Sequence, residues 1–199
     1  MLKYFNKPRD RGDTLVEVLF AVAVFSLVAV GAMSIMNQGT ATAERALEIT
    51  LVRQQIDAQA ETLRYLNASY IAAVSRGGTN TDWQSIQLIA KNNTLSDFNS
   101  TTCSIPLNNV FVLNTHTAKF EDPSATPGKP VSAITYSQVR YNAANNVSSV
   151  EGIWIEPVSS TTSNGNTGYI DFHIRACWDG PGQSVPVTIG TIVRLYEPR

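Results

Sequence analysis

The sequence is poor in the residues that most enzymes and metal centres use. Among its 199 residues there are two cysteines and two histidines, His116 and His173. It contains no H-E-x-x-H, G-x-S-x-G or phosphate-binding loop motif, and neither cysteine lies in a C-x-x-C pair. We therefore expect a protein that is not an enzyme and that needs no cofactor or metal. A hydrolase site without a familiar motif remains the alternative.

Charge is also scarce, and it is unevenly placed. Charged residues make up 16% of the chain and the formal net charge is -1. Without an overall positive field, nucleic acid is not expected as a partner. Four basic residues crowd the first eleven positions against Asp10, and no charged residue lies between Glu17 and Glu44. A basic start followed by an uncharged stretch is a targeting pattern.

The uncharged stretch contains an apolar run at residues 18–36, VLFAVAVFSLVAVGAMSIM. A run of about 20 such residues is long enough to span a bilayer as a helix. Positive charge before the run predicts a cytoplasmic N-terminus and export of the rest of the chain. Cys103 and Cys177 lie outside the run, and we expect one structural disulfide between them in an oxidising compartment. Two unrelated buried thiols are the alternative.

The helical pattern continues beyond the apolar run. From Thr40 to about Leu66, apolar residues recur at steps of three and four, which predicts an amphipathic helix with one packed face. The stripe consists of Leu47, Leu51, Val52, Ile56, Ala60, Leu63 and Leu66. No helix breaker separates the two stretches, so we expect one helix over residues 13–66. Residues 67–199 would then form the exported globular domain.

The exported domain is predicted to be rich in strands. Trp83 to Lys91 indicates a short helix, and β-branched and aromatic segments predict strands at 110–114, 134–141, 152–156, 169–178 and 185–196. The fold class is therefore α+β, with the helix packed on one antiparallel sheet. The last two strands would form a hairpin that places His173 on the polar face. Polar segments at 121–130 and 159–168 are expected to be loops. Trp83, Trp154 and Trp178 are expected to pack in the core, which is a commoner use of tryptophan than adhesion.

The residues at the start of the apolar run carry the functional signal. Glu17 lies about one turn into the predicted helix, where a carboxylate costs a few kcal/mol unless it stays at headgroup depth. A short basic leader, Gly12, and the stretch Thr14-Leu15-Val16-Glu17-Val18-Leu19 precede the long apolar helix. This arrangement resembles the type III signal of type IV prepilins and of type II secretion pseudopilins.

The resemblance implies processing and assembly. A membrane aspartyl peptidase would cut between Gly12 and Asp13, removing a cytoplasmic leader of residues 1–12. Glu17 would neutralise the new α-amine of a neighbouring subunit when the helices bundle. Asp13 stands where the family usually has an N-methylated Phe or Met, so its own carboxylate is a second candidate partner for that amine. The implied partners are other pilin subunits, the prepilin peptidase, the pilus assembly machinery and the cytoplasmic membrane.

Three other interpretations remain open. Ala41-Thr42-Ala43 fits the small-x-small pattern of an ordinary signal peptide, which would give a mature chain beginning at Glu44. A single-pass anchored domain without filament assembly would keep Met1. Within the family, the chain could be a major pilin, a minor pilin or a secretion pseudopilin, in an extracellular pilus or a periplasmic or cell-surface pseudopilus. The wording around Glu17 is closer to the minor subunits.

Overall fold

A computed structural model describes residues 13–91, 93–95, 103, 105–106, 108–122, 130–161 and 167–197 of the chain. The α+β class is confirmed, because a long helix precedes a second helix and a set of mainly antiparallel strands. Across these residues the elements are α1 Asp13–Val74, α2 Thr81–Lys91, β1 Val112–Asn114, β2 Lys119–Glu121, β3 Pro130–Val131, β4 Gln138–Tyr141, β5 Val147–Glu151, β6 Ile153–Thr161, β7 Thr167–Trp178 and β8 Val187–Tyr196.

The chain divides into two compact units, Met1–Ala43 and Glu44–Arg199, and each is described on its own. In the first unit, the described residues belong to α1. Its apolar side chains are exposed, and the helix continues through Gly31 and Gly39 without a break. Each of these two glycines costs about 1 kcal/mol relative to Ala in a helix interior.

In the second unit, α1 has the amphipathic pattern that the sequence predicts. A stripe spaced by three and four residues is buried, namely Val52, Ile56, Ala60, Leu63 and Leu66. Leu47, which was expected in the same stripe, is exposed, and Leu51 is half-buried. The stripe therefore begins one or two turns later than predicted.

The predicted end of α1 near Leu66 is wrong, because the helix continues to Val74. Asn67 does not break it: the side chain is buried and its amide donates to the Tyr196 carbonyl at 3.4 Å. The helix ends instead where Gly77 adopts a φ of 74° and the Gly78 amide donates to the Ala73 carbonyl at 2.9 Å. A glycine in this conformation is the usual helix C-cap.

Helix α2 begins at an asparagine cap. The Asn80 side-chain oxygen accepts from the backbone amides of Asp82 at 3.1 Å and Trp83 at 3.2 Å. These bonds satisfy amides that have no partner inside the helix. Trp83, Ile86 and Ala90 are buried at helical spacing. The short helix expected at Trp83 to Lys91 is therefore confirmed, with two further residues at its start.

The prediction of one antiparallel sheet is wrong, because the described strands form three sheets, in the orders β1-β2, β3-β5-β4 and β6-β7-β8. One pairing, between β3 and β5, is parallel. The β7–β8 hairpin is confirmed, with Trp178 opposite Val187 and Tyr169 opposite Tyr196. Strands β2, β3 and β5 were not predicted, because they are short or rich in polar residues and lack a clear alternation.

Two of the predicted loops are only partly described. Strand β6 extends through Thr161 into the segment expected to be a loop at 159–168, and β7 begins at Thr167. Residues 162–166 lie outside the described residues, as do residues 123–129 of the segment 121–130. Two residues of the expected loop at 121–130 belong to strands instead, Glu121 to β2 and Pro130 to β3.

Gly152 joins β5 to β6 at a point where no other residue fits. Its φ is 60°, and a Cβ there would overlap the Cys177 carbonyl oxygen and the Ser137 hydroxyl. Its own carbonyl accepts from the Cys177 amide at 2.8 Å. The close approach and the positive φ both require glycine. This joint separates two strands that the sequence pattern alone would run together.

The core of the second unit lies between α1, α2 and the inner face of the β6-β7-β8 sheet. Alternate residues of β7 point into it, and all are buried: Ile170, Phe172, Ile174, Ala176 and Trp178. Gln59 of α1 is buried beside them and binds the backbone of Leu113, donating to its carbonyl and accepting from its amide, both at 2.8 Å. The helix thereby satisfies the outer edge of β1 as a neighbouring strand would.

Candidate functional site

The candidate site is the N-terminal part of α1. Gly12 lies outside the described residues, and Asp13 is the first residue of the helix. Glu17 lies four residues later, on the same helix face as Asp13, with an exposed side chain. A cut after Gly12 would leave the new α-amine at the positive end of the helix dipole. A carboxylate within the first turn is the natural electrostatic partner of that end.

The helix around Glu17 is apolar, and its large side chains are exposed in the described residues. Among the described residues, α1 is the one helix long and apolar enough to cross a membrane, with a mean hydropathy of 2.5 over its best window and no residue of that window buried. Phe25 and Leu27 are 73% and 77% exposed. A core helix of a soluble protein is equally apolar but covered. The exposed apolar helix is consistent with anchoring in a membrane.

Three hydroxyl side chains of this segment are satisfied within the helix. Ser26, Thr40 and Thr42 donate their hydroxyl hydrogens to backbone carbonyls three or four residues earlier, at 2.7–3.0 Å. Glu17 is the one charged residue between Asp13 and Glu44. A carboxylate buried among other helices would demand an external partner.

Cys103 and Cys177 form a disulfide, as expected from the sequence. Their Cα atoms are 5.6 Å apart and the two residues are 74 positions apart in the chain. Both are buried in a small cluster with Val110 and Trp154, separate from the main core. Cys177 is on β7, so the bond ties the Cys103 segment to the central strand of the β6-β7-β8 sheet.

The three tryptophans are fully buried, so they offer no surface for adhesion. Trp83 stacks on Tyr70 with ring centroids 5.8 Å apart. The Trp178 indole N–H donates to Glu48 Oε2 at 3.0 Å. Trp154 belongs to the cluster around the disulfide. The expectation from the sequence that these tryptophans pack in the core is confirmed for all three.

The outer face of the β6-β7-β8 sheet carries charged pairs. Arg194 donates to both carboxylate oxygens of Asp171 at 2.7 Å and lies over the Tyr169 ring at 3.9 Å. This bidentate bond lowers the pKa of Asp171 and raises the pKa of Arg194. Strand β8 places Arg194 directly opposite Asp171.

A second pair lies further along the same face. Arg175 Nη1 is 3.6 Å from Glu156 Oε2, and the Glu156 side chain is 2% exposed. His173 lies on β7, opposite Glu156 of β6 on one side and Ile192 of β8 on the other. It is therefore a cross-strand residue, as predicted. Burial lowers the pKa of His173, and Arg175 acts in the same direction, while Glu156 and Asp171 oppose it. His116 stacks edge-on against Tyr141 at 4.3 Å.

The residues singled out from the sequence fall into two groups. Asp13 and Glu17 share the first turns of α1, while Cys103 and Cys177 meet in the second unit. Sequence reasoning missed Gln59 and Glu156, which are buried polar residues. Gln and Glu are usually surface residues, so the sequence did not indicate that these two are buried. Their partners come from segments that are distant in the sequence. In the described ranges, no group of three or more His, Cys, Asp or Glu side chains is placed to hold a metal.

The structure defines a class of protein: an α+β protein whose N-terminal helix begins with an exposed apolar segment long enough to cross a membrane. Residues 7–33 match the prokaryotic N-terminal methylation motif, so the chain carries the type IV prepilin signal. The motif supports a type IV pilin-like or pseudopilin protein and implies processing by a prepilin peptidase. No curated protein and no solved structure gives a significant match to the chain.

Proposed function

We propose that this chain is a type IV pilin-like filament subunit. The observation that carries the proposal is the apolar start of α1, which overlaps the methylation motif and is exposed in the described residues. Such a helix has to be surrounded by lipid before assembly and by other helices after it. A filament core of bundled helices provides the second environment.

Processing comes first in the proposed sequence of events. The prepilin peptidase cuts between Gly12 and Asp13 on the cytoplasmic side, and the apolar segment stays in the mature chain. The subunit then waits in the cytoplasmic membrane as a single-pass protein with residues 44–199 exported. The buried Cys103–Cys177 bond supports an oxidising destination for that part.

Assembly depends on Glu17 in this proposal. A carboxylate and an ammonium are each costly alone in apolar surroundings and become tolerable when paired. The pair forms when a neighbouring helix brings its α-amine level with Glu17, so this contact sets the stagger of the helices. Moving the helix from lipid into the bundle changes little apolar burial. By family resemblance, an assembly ATPase supplies the work of extraction.

We also propose that the chain is structural and not an enzyme. Its histidines support this: His116 packs on Tyr141, and His173 lies in a cross-strand row with Glu156 and Ile192. Any adhesive role would then use exposed residues other than the buried tryptophans. A type II secretion pseudopilin is the second candidate, because the matched motif is common to both kinds of subunit.

The mature N-terminus tests the processing step. Mass spectrometry of the membrane-bound protein should find a chain beginning at Asp13, whereas a signal peptide would give Glu44 and an unprocessed anchor would give Met1. Gly12→Val should leave the leader in place, and Gly39→Ala, a glycine change inside the helix, should be processed normally. A mature chain that begins at Glu44 would remove the proposal.

The assembly step is tested by Glu17→Ala. This variant should be inserted and cut as the wild type is, but it should yield at least about tenfold fewer sheared filaments, because the neighbouring amine is left unpaired. Glu61→Ala is the matched control, since it removes an exposed carboxylate from the same helix. A wild-type yield from Glu17→Ala would remove the role assigned to this residue. The abundance of the chain in sheared filaments would separate a major pilin from a minor one.

A further inference from the structure

An open groove in the second unit is lined on one side by α1 and on the other by two loop segments. It has a volume of about 570 Å³. Leu47 and Leu51 of α1 and Ile134 form its apolar bed. Leu47 is 61% and Ile134 83% exposed, so nothing in the described chain covers them. Exposed apolar side chains that line a groove favour binding of an apolar partner.

The rim of the groove is acidic. Glu44, Glu48 and Asp179 line it, and none of them forms an ion pair within the described residues. Glu48 accepts a hydrogen bond from the Trp178 indole. The neighbouring cation, Arg45, donates to the Pro181 carbonyl at 3.1 Å. The groove therefore offers apolar contact together with a net negative charge, since three carboxylates face one cation.

The same chain carries a complementary surface at the other end of this part of α1. Ile71 and Val74 are 38% and 40% exposed, lie on one helix face, and precede the exposed Arg76 in the capping turn. Within the described residues Arg76 forms no ion pair. From Glu44 to Val74 the helix rises by about 45 Å, so the two surfaces lie at opposite ends of the second unit.

We propose that the groove of one copy receives the end of α1 of a second copy. Ile71 and Val74 pack on Leu47 and Ile134, and Arg76 faces the three carboxylates. The contact joins different surfaces of the two copies. Because these surfaces lie at opposite ends, it repeats from copy to copy without closing, which produces a linear array. The inference rests on the proposed filament function and names the surfaces through which the exported parts touch.

A cysteine pair tests the contact in intact cells. A chain with Leu47→Cys and Val74→Cys should form a ladder of disulfide-linked dimers, trimers and larger species in the sheared filament fraction under mild oxidation. The matched control combines Leu47→Cys with Leu88→Cys, because Leu88 is 73% exposed beside Lys91 on α2 and presents a rival apolar and basic surface. The control should give no ladder.

Charge reversal gives an independent measurement. Glu44→Arg and Arg76→Glu should each reduce the filament yield about fivefold, and the double variant should return it to within about twofold of the wild type. Replacing Arg76→Glu by Lys91→Glu should give no such rescue. Filaments that form without the ladder, or a rescue by Lys91→Glu, would overturn the contact alone. Wild-type cells that shed no filaments would overturn the proposed function, and this contact with it.

Discussion

The two parts of helix α1, before and after residue 44, have the same backbone conformation but differ in how their apolar side chains are buried. Leu27 and Leu63 are the same residue on the same helix, yet Leu27 is 77% exposed and Leu63 is fully buried. Beyond Glu44, α2 and the β6-β7-β8 sheet cover one stripe of the helix. In the part of residues 14–43 that the structure describes, the large apolar side chains are exposed. The same helix is therefore covered along one stripe in the second unit and exposed in the first.

The largest effect that separates the two parts should come from the disulfide. Replacing both cysteines, Cys103→Ala with Cys177→Ala, should lower the free energy of unfolding of the second unit by about 3–5 kcal/mol, because a long loop is released in the unfolded chain. Urea denaturation followed by tryptophan fluorescence would measure it. Membrane retention of the chain should stay unchanged. A variant that leaves the membrane would contradict the independence of the two parts.

The clearest comparison of the two parts of α1 replaces a leucine by alanine once in each part. Leu63→Ala should cost about 2–5 kcal/mol of unfolding free energy, since it opens a cavity in a packed core. Leu27→Ala should leave that free energy unchanged and act, if anywhere, on membrane insertion or filament yield. Chemical denaturation of both variants under the same conditions provides the test. Equal losses at the two positions would show that the chain covers residues 13–43 after all.

A smaller effect is expected at the amide that joins α1 to β1. Gln59→Leu removes both hydrogen bonds to the Leu113 backbone and leaves buried polar groups without partners, at a cost of about 1–3 kcal/mol. Gln54→Leu, an exposed position on the same helix, should be close to neutral. Hydrogen exchange at the Leu113 amide would report the loss directly. Unchanged protection in Gln59→Leu would mean that another group satisfies β1.

The smallest effect is expected at the surface pair of Asp171 and Arg194. Arg194 lowers the pKa of Asp171 from its ordinary value of 3.8, so the pair stabilises the fold above that pH and the stabilisation is lost as pH falls through the lowered pKa. Asp171→Asn should therefore melt slightly below the wild type at neutral pH, and the difference should shrink below about pH 4. A difference that persists in acid would point to packing instead of charge.

Much of the helical part could be predicted from sequence, because periodicity is a local signal. The apolar run, the stripe from Val52 to Leu66 and the short helix near Trp83 all follow from residue spacing. The end of α1 was misplaced because Asn67 looks like a stop but is buried against β8. The disulfide followed from cysteine number and placement, while nothing local indicated that Glu156 is buried beside Arg175.

The strands were less predictable because their pairing is nonlocal. β7 and β8 alternate clearly and were found, whereas β5 reads VSSVE and takes its place only through β3 and β4. The single sheet that was expected is divided, and Gly152 with its positive φ lies where β5 of one sheet meets β6 of another. For the candidate site, the order of Gly12, Asp13 and Glu17 needed no tertiary information, since a processing signal is recognised as a linear segment.

The sequence by itself determined where the chain is apolar, that Glu17 directly precedes the apolar run, and that two cysteines lie beyond it. Those properties are local and one-dimensional. Only the tertiary structure decided which face of α1 beyond Glu44 is covered, which polar residues are buried, and that Leu47 and Ile134 line an open groove. Burial and complementarity depend on which distant segments meet, and residue spacing alone does not record that.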